Sequence, residues 1–240
     1  PNQDSIARNG IRFSNGYVTC PVCAPSRIGL LIGRYQQRFG YEDHPNPGMG
    51  LPSDEVTLPE KLKTAGYATG MIGKWHLGDK PGITPVDRGF DEYYGFLAGG
   101  HTYLPDSKDK SPSLTGPIMR GMQEVKEEEY LTDAFAREAA SFIERHRTEP
   151  FFLYVPFNAP HLPLEASQKY LDRFPNITNT NQKTYYAMLA ALDDAVGCIL
   201  DAIRKNDLEE DTMIFYFSDN GATLFGNNGQ DTLFGGNQND

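Results

Sequence analysis

The sequence lacks long apolar runs and clusters of basic residues. None of its 240 residues lies in a run of roughly eighteen apolar residues, so no membrane-spanning helix is predicted. The formal net charge is -10, from 22 Lys and Arg against 32 Asp and Glu. Because binding to nucleic-acid phosphates depends on clustered cations, nucleic acid is excluded as the predicted partner. An anionic substrate would instead require a local cation, such as a bound metal ion.

Cysteine is scarce, and its three positions exclude two common site types. Cys20, Cys23 and Cys198 are too few and odd in number for a full set of internal disulfides, and they show no zinc-type pairing. The spacing of Cys20 and Cys23 matches a redox pair, but Pro21 and the residues that follow do not resemble a thioredoxin-type site. Cys23 precedes an apolar helical stretch at 28–32, where the helix dipole favours a reactive thiol. A small buried residue beside a turn explains the same position, so both interpretations stay open.

Apolar spacing predicts an α/β fold. Apolar residues at helical spacing predict helices at 58–65, 131–147 and 182–204. Short apolar runs bounded by turn residues predict strands at 67–72, 151–157 and 213–217. The last two strands are continuous apolar runs, which is typical of strands buried on both faces of a parallel sheet. The order indicates a layered sheet with helices on its faces. Residues 79–130, rich in Gly, Pro, Asp and Lys, predict a long surface insertion that builds a substrate rim.

Polar residues follow each of the three predicted strands. His76 comes after the first, His161 after the second, and Asp219 with Asn220 after the third. Since the carboxyl ends of parallel strands meet at one edge of a sheet, we expect these side chains to converge. A carboxylate next to an amide oxygen suits Ca²⁺, although an Asp-Asn-Gly turn with no ligand explains the same residues.

Four segments, in a fixed order, resemble the signatures of one enzyme family. They are Cys-Ala-Pro-Ser-Arg at 23–27, which continues with Leu-Leu-Ile-Gly-Arg-Tyr at 30–35, Gly-Lys-Trp-His-Leu-Gly at 73–78, Ala-Pro-His-Leu-Pro at 159–163 and Ser-Asp-Asn-Gly at 218–221. Together they resemble type I, formylglycine-dependent sulfatases, of the arylsulfatase and N-acetylgalactosamine-sulfatase kind. The resemblance implies the layered fold of the alkaline phosphatase-like superfamily and the activity of a sulfuric ester hydrolase.

The resemblance also implies roles for individual residues. Cys23 would be oxidised by a formylglycine-generating enzyme, and the hydrated aldehyde would attack sulfur and later expel sulfate through its second hydroxyl group. Arg27 would hold the modified residue, and Lys74 and His76 would contact the nucleophile and the sulfate. His161 would donate a proton to the departing alcohol oxygen.

The resemblance also assigns metal and substrate contacts to individual residues of this chain. Asp219, Asn220 and the formylglycine at position 23 would bind Ca²⁺. The segment 89–103 resembles that of glycan-acting sulfatases, which places His101 near the substrate. The implied substrate is a sulfated carbohydrate, or an aryl sulfate as a surrogate, and the implied location is secreted, periplasmic or lysosomal.

The chain departs from the family pattern at both ends. The family's first strand with two consecutive aspartates, a later Gly-Gly-Lys segment and a smaller C-terminal domain do not occur in it. We therefore expect residues 1–240 to form a partial N-terminal catalytic domain with weak Ca²⁺ binding and little activity on its own. The Gly- and Asn-rich residues 222–240 partly match a Ca²⁺-binding β-roll repeat, but about three copies would be needed, so a loop is predicted.

Two other functions remain open from the sequence. Phosphoester hydrolases of the alkaline phosphatase-like superfamily are similar in fold and metal turn, but they commonly use Ser or Thr where this chain has Cys23. A non-catalytic Ca²⁺- or glycan-binding module would carry an unmodified Cys23.

Overall fold

The structure is a computed structural model that describes residues 1–42 and 50–221, and the backbone of 223–227 and 230–234. The helices are α1 (Asn2–Arg8), α2 (Cys23–Ile32), α3 (Leu58–Thr64), α4 (Leu131–Arg145), α5 (Gln168–Leu171) and α6 (Thr180–Lys205). The strands are β1 (Ala68–Lys74), β2 (Glu92–Phe96), β3 (Ile118–Arg120), β4 (Gln123–Val125), β5 (Phe151–Tyr154), β6 (Thr223–Asn227) and β7 (Gln230–Phe234).

A mixed sheet of five strands organises the chain. Its strand order is β4-β3-β2-β1-β5. Strand β1 pairs in parallel with both β2 and β5, whereas β3 pairs antiparallel with β2 and β4. The three parallel strands therefore end at one edge of the sheet, where the loops that follow them meet.

Helices cover both faces of this sheet, as predicted. Met71 and Tyr93 project to the face that packs on α2, and Ile72 and Tyr94 project to the face that packs on α4 and α6. This alternation follows from the two-residue period of a strand. The prediction of an α/β fold with helices on both faces of a layered sheet is confirmed. No helix in the described part of the chain has the length and apolar character needed to cross a lipid bilayer.

The predicted helices are confirmed at 58–64, 131–145 and 180–205. At the start of α3, the Thr57 side chain accepts a hydrogen bond from the Glu60 amide, and the Glu60 carboxylate accepts one from the Thr57 amide. Such a capping box satisfies two amides that the helix leaves without partners. The predicted strand at 67–72 is also confirmed, as β1.

The predicted buried strand at 213–217 is wrong. This stretch has no regular secondary structure, and its side chains are exposed, from 40% for Ile214 to 79% for Met213. A strand needs a hydrogen-bonded neighbour, and none of the described strands pairs with these residues. Strand β5 exists but lies at the edge of the described sheet, so its residues are half-buried instead of buried on both faces.

Two segments predicted to be irregular contain strands. Residues 79–130 do not form a continuous surface insertion, because β2 lies in the middle of the sheet and four of its five residues are buried. Strand β2 is short and aromatic and lies between glycine-rich stretches, so the local sequence does not indicate a strand. The strand forms because these residues pair with β1. The loop predicted at 222–240 contains the antiparallel pair β6 and β7, and residues 222, 228, 229 and 235–240 lie outside the described residues.

Candidate active site

Cys23 and His76 are in contact at the carboxyl edge of β1. Cys23 is the first residue of α2 and is fully buried, and its Sγ lies 2.9 Å from Nδ1 of His76. The helix N-terminus presents positive partial charge to this sulfur. The structure therefore joins two residues that the sequence places 53 positions apart.

His76 is held in a conformation that residues with a Cβ rarely adopt. Its φ is 61°, in the left-handed region, which costs about 1–2 kcal/mol for such a residue. The amides of Trp75 and His76 donate to the carbonyls of Phe96 and Leu97, so the chain beyond β1 stays fixed beside the chain beyond β2. These main-chain bonds stabilise the strained residue that directs its imidazole at Cys23.

Arg27 joins three segments of the site. It lies one helical turn after Cys23 and is only 3% exposed. Its Nε and Nη2 lie 2.8 and 2.6 Å from one carboxylate oxygen of Asp219, and its Nη1 donates to the main-chain oxygen of Lys74 at 2.7 Å. Burial acts to lower the pKa of Arg27, but electrostatic interactions with Tyr154, Asp219 and Cys23 and the hydrogen bond to Asp219 outweigh it and raise that pKa above its usual value. Arg27 is therefore a permanent buried cation.

Two hydrogen bonds hold the turn at 219–220 to the beginning of α2. The Ser26 hydroxyl donates to the main-chain oxygen of Asp219, and the Asn220 side-chain amide donates to the carbonyl of Pro21 at 3.3 Å. The Asn220 side-chain oxygen is buried and has no hydrogen-bond partner in the described structure. A buried acceptor of this kind costs free energy unless a ligand satisfies it.

The chemistry of this turn fits a hard cation. Asp219 and Asn220 offer a carboxylate and an amide oxygen side by side, and Ca²⁺ takes six to eight oxygen ligands of these types. Within the described ranges, no group of three or more His, Cys, Asp or Glu side chains is arranged to hold a metal ion. The two residues fit calcium in donor type and supply part of a coordination shell.

Lys74 and His161 lie at the same edge. Lys74 ends β1 with a fully buried side chain. His161 is 8% exposed in the loop after β5, and its amide donates to the carbonyl of Asn158 at 2.7 Å. Its Nδ1 lies 2.6 Å from the carbonyl oxygen of Leu162, which accepts a hydrogen bond, so Nδ1 carries a proton.

The imidazole of His101 contacts main-chain oxygens. Its Nδ1 lies 2.6 Å from the carbonyl oxygen of Thr102, and its Nε2 lies 2.8 Å from that of Gly116. The structure thus places His101 beside the site as a link between two loop segments. A substrate contact by His101 stays a prediction.

Sequence reasoning missed three residues of the site. Ser26 lies inside a recognised segment, but its bond to Asp219 depends on the fold. Gly99 and Gly100 lie against the rings of His76 and His161, respectively. The only sequence signal for them is a Gly-Gly pair shortly after β2, which reads as an ordinary turn.

Comparisons with known proteins agree with this geometry. Residues 1–239 match the family model described as Sulfatase. Arylsulfatase J of Mus musculus is 35% identical over 231 residues, which are 92% of this chain and 38% of that protein. N-acetylgalactosamine-6-sulfatase of Homo sapiens is 35% identical over 248 residues, which are 93% of this chain and 45% of that protein. The chain spans less than half the length of these two relatives.

A solved structure extends the match to three dimensions. Ps i-CgsB is 41% identical and superposes with a TM-score of 0.81, over 87% of this chain and 50% of that one. The predicted alkaline phosphatase-like fold is confirmed by this likeness to sulfatase structures. With the family model matched over residues 1–239, the chain belongs to the sulfatase family.

Proposed function

We propose that the protein hydrolyses sulfate esters, with residue 23 acting as a formylglycine made from cysteine. The contact of 2.9 Å between Cys23 and His76, beside the Arg27–Asp219 ion pair, carries this proposal. The Sγ atom marks where the oxygen nucleophile of the oxidised residue would lie. When present, formylglycine supplies a hydrated aldehyde as the nucleophile, and Ca²⁺ supplies positive charge to the sulfate oxygens.

The residues around position 23 hold charge and protons in defined places. His76 Nδ1 faces the nucleophile and is placed to take a proton from its hydroxyl group. Arg27 balances the carboxylate of Asp219, and the side chain of Lys74, fully buried at the end of β1, would supply further positive charge to the bound sulfate. Asp219 and Asn220 are the residues that would hold Ca²⁺, because their oxygens lie together and that of Asn220 is otherwise unsatisfied.

His161 is the proposed proton donor to the leaving oxygen. Its Nδ1 lies 2.6 Å from the Leu162 carbonyl oxygen, which fixes the ring and leaves Nε2 as the nitrogen that would hand a proton to the leaving oxygen. In the overall reaction, water is consumed, the sulfur–oxygen bond of the ester breaks, and the products are an alcohol and sulfate. The alcohol oxygen receives the proton from His161.

The proposed substrate is a sulfated carbohydrate. Ps i-CgsB, 41% identical to this chain, has also been solved in complex with k-i-k-neocarrahexaose, an oligosaccharide. N-acetylgalactosamine-6-sulfatase, another relative, is named for a sugar. Maturation by a formylglycine-generating enzyme, and a secreted, periplasmic or lysosomal location, belong to the same proposal.

The test uses the protein at its full natural length, produced with a formylglycine-generating enzyme. We expect release of sulfate from 4-nitrophenyl sulfate and from sulfated oligosaccharides, and a loss of at least about 1000-fold in Cys23→Ala, because the nucleophile is removed. Cys198→Ala is the matched control, since Cys198 lies on α6 and is exposed. Mass spectrometry of the peptide with residue 23 should show an aldehyde in place of the thiol.

The same assay separates the sulfatase from its rivals. Faster release of phosphate from 4-nitrophenyl phosphate would favour a phosphoester hydrolase and contradict the proposal. An unmodified Cys23 with no hydrolysis of either ester would indicate a non-catalytic binding module. Removal of metal by a chelator should abolish sulfate release, and added Ca²⁺ should restore it.

A further inference from the structure

The main chain of Gly99 passes directly against the imidazole of His76. A Cβ atom at Gly99 would lie 2.6 Å from Nε2 and 2.8 Å from Cε1 of that ring. Distances below about 3.0 Å are closer than carbon atoms approach without displacement. A side chain at position 99 would therefore have to move the ring of His76.

The ring of His76 has little freedom to move. Its main chain is held by the bond from its amide to the carbonyl of Leu97, and its φ of 61° is fixed there. Its Nδ1, which Cε1 separates from Nε2, contacts the sulfur of Cys23. A ring pushed away from position 99 must therefore change its distance or angle to residue 23.

The next glycine lies near the second histidine of the site. A Cβ atom at Gly100 would lie 3.5 Å from Cε1 of His161, an ordinary contact, and 2.6 Å from a terminal methyl of Leu114. Leu114 has a flexible end that yields more easily than a held imidazole. Substitution at Gly100 is therefore milder for the histidine than substitution at Gly99.

The segment 99–101 is itself anchored. The His101 ring bridges the carbonyls of Thr102 and Gly116, and the Asn158 side-chain amide donates to the carbonyl of His101 at 3.3 Å. Asn158 also accepts the amide of His161 through its main-chain oxygen. The anchor thus connects the glycine pair to the loop that carries His161.

We propose that Gly99 is a positioning residue for sulfate ester hydrolysis, whose missing side chain sets the place of the His76 imidazole against residue 23. Gly100 has the lesser role of allowing the segment to pass His161, and His101 fixes the segment in place. This inference rests on the proposed function, because it assigns a catalytic purpose to the close approach.

The test compares Gly99→Ala, Gly100→Ala and Gly16→Ala in the full-length, oxidised enzyme. Neither Gly99 nor Gly100 has a left-handed φ, so alanine adds the methyl group without main-chain strain. We expect kcat to fall about 10- to 100-fold in Gly99→Ala with little change in KM, since a displacement of about 1 Å in a catalytic group has effects of this size.

The other two variants provide reference values for the loss of kcat in Gly99→Ala. Gly100→Ala should lose less than about tenfold in kcat, and Gly16→Ala should match the wild type, because its new Cβ would meet only a carbon of Phe13 at 3.6 Å. Equal aldehyde content and equal melting temperatures confirm that folding and oxidation are unchanged. If melting shows that Gly99→Ala is unfolded at the assay temperature, all variants are compared at a lower temperature at which Gly99→Ala is folded.

Two results would overturn different claims. A wild-type enzyme without sulfatase activity removes the proposed function. An active wild type whose Gly99→Ala variant keeps kcat within twofold of the wild-type value removes the positioning role of Gly99 alone.

Discussion

The carboxyl and amino ends of β1 and β2 carry ion pairs that differ in exposure, since Arg27–Asp219 is largely buried and Arg145–Glu92 is not. At the carboxyl end, the guanidinium of Arg27 and the side chain of Lys74 are buried almost completely. At the amino end, Arg145 pairs with Glu92, and both side chains are 40% exposed or more. Burying a charge costs several kcal/mol that an exposed pair does not incur, so a protein keeps buried charges where they have another purpose. The amino end also holds a buried cation, Arg88, which is 3% exposed but whose guanidinium is paired with Glu60 and with main-chain oxygens. Buried cations therefore mark the functional end only together with the contact between Cys23 and His76.

Removal of the buried cation should have the largest effect. Arg27→Ala leaves the Asp219 carboxylate beside a cavity without its guanidinium, and we expect the free energy of unfolding to fall by about 3–5 kcal/mol. Arg145→Ala, at the exposed end, should cost about 1 kcal/mol or less. Urea unfolding of both variants measures the difference. Equal losses would remove the distinction between the two ends.

Two substitutions at His76 should separate the effect of backbone strain on stability from the effect of the imidazole on catalysis. Asn tolerates the left-handed region better than most residues, so His76→Asn should retain the fold and lose about 100-fold or more in kcat. His76→Val should lose the same activity and also about 1–2 kcal/mol of unfolding free energy, because its branched side chain disfavours a φ of 61°. Unfolding curves and sulfate release measure the two effects separately. Equal stability of the two variants would show that the backbone at position 76 carries no strain.

The smallest effect is expected at the exposed end, and it depends on pH. Burial acts to lower the pKa of His146, but hydrogen bonds to Glu92 and Glu149 outweigh it and raise that pKa above 6.5. A raised pKa in the folded state means that the stabilisation is present below about pH 6.5 and disappears as pH rises through the raised value. His146→Gln should therefore destabilise the protein more at about pH 5.5 than at about pH 8.5.

A matched substitution tests that pH dependence. Arg147→Gln removes a neighbouring exposed cation whose guanidinium donates to the main-chain oxygen of Glu144. Urea unfolding should show a loss that is independent of pH for this variant. A loss in His146→Gln that does not change between the two pH values would contradict the assignment to His146.

The sequence predicts the helical layers better than the strands. Helices α4 and α6 were readable because each repeats its apolar face over many turns, which is a local property. Strand β2 has five residues, and its place beside β1 depends on pairing that no local pattern reports. The run at 213–217 shows the converse, since strongly apolar residues form no strand where the described residues offer no partner.

The candidate site was predictable in its parts and not in its geometry. Cys23, His76 and Asp219 stand in segments with a recognisable order, but the rule for parallel strands accounts only for the place of His76, because Cys23 begins a helix and Asp219 follows no strand in the described residues. The contact of His76 with Cys23 depends on the left-handed backbone conformation of His76, and the sequence does not predict that conformation for a histidine. The function of Gly99 arises from an absent side chain near a distant ring, and only coordinates report such proximity.

The ion pair of Arg27 and Asp219 also has a consequence for synthesis of the chain. The two residues are 192 positions apart. At about 5–20 residues per second, a ribosome needs roughly 10–40 s to make the intervening segment. During that interval α2 has no carboxylate to receive its arginine, and the thiol at position 23 remains open to other molecules. Any enzyme that must reach this thiol has its best opportunity then, because the completed fold buries the sulfur fully.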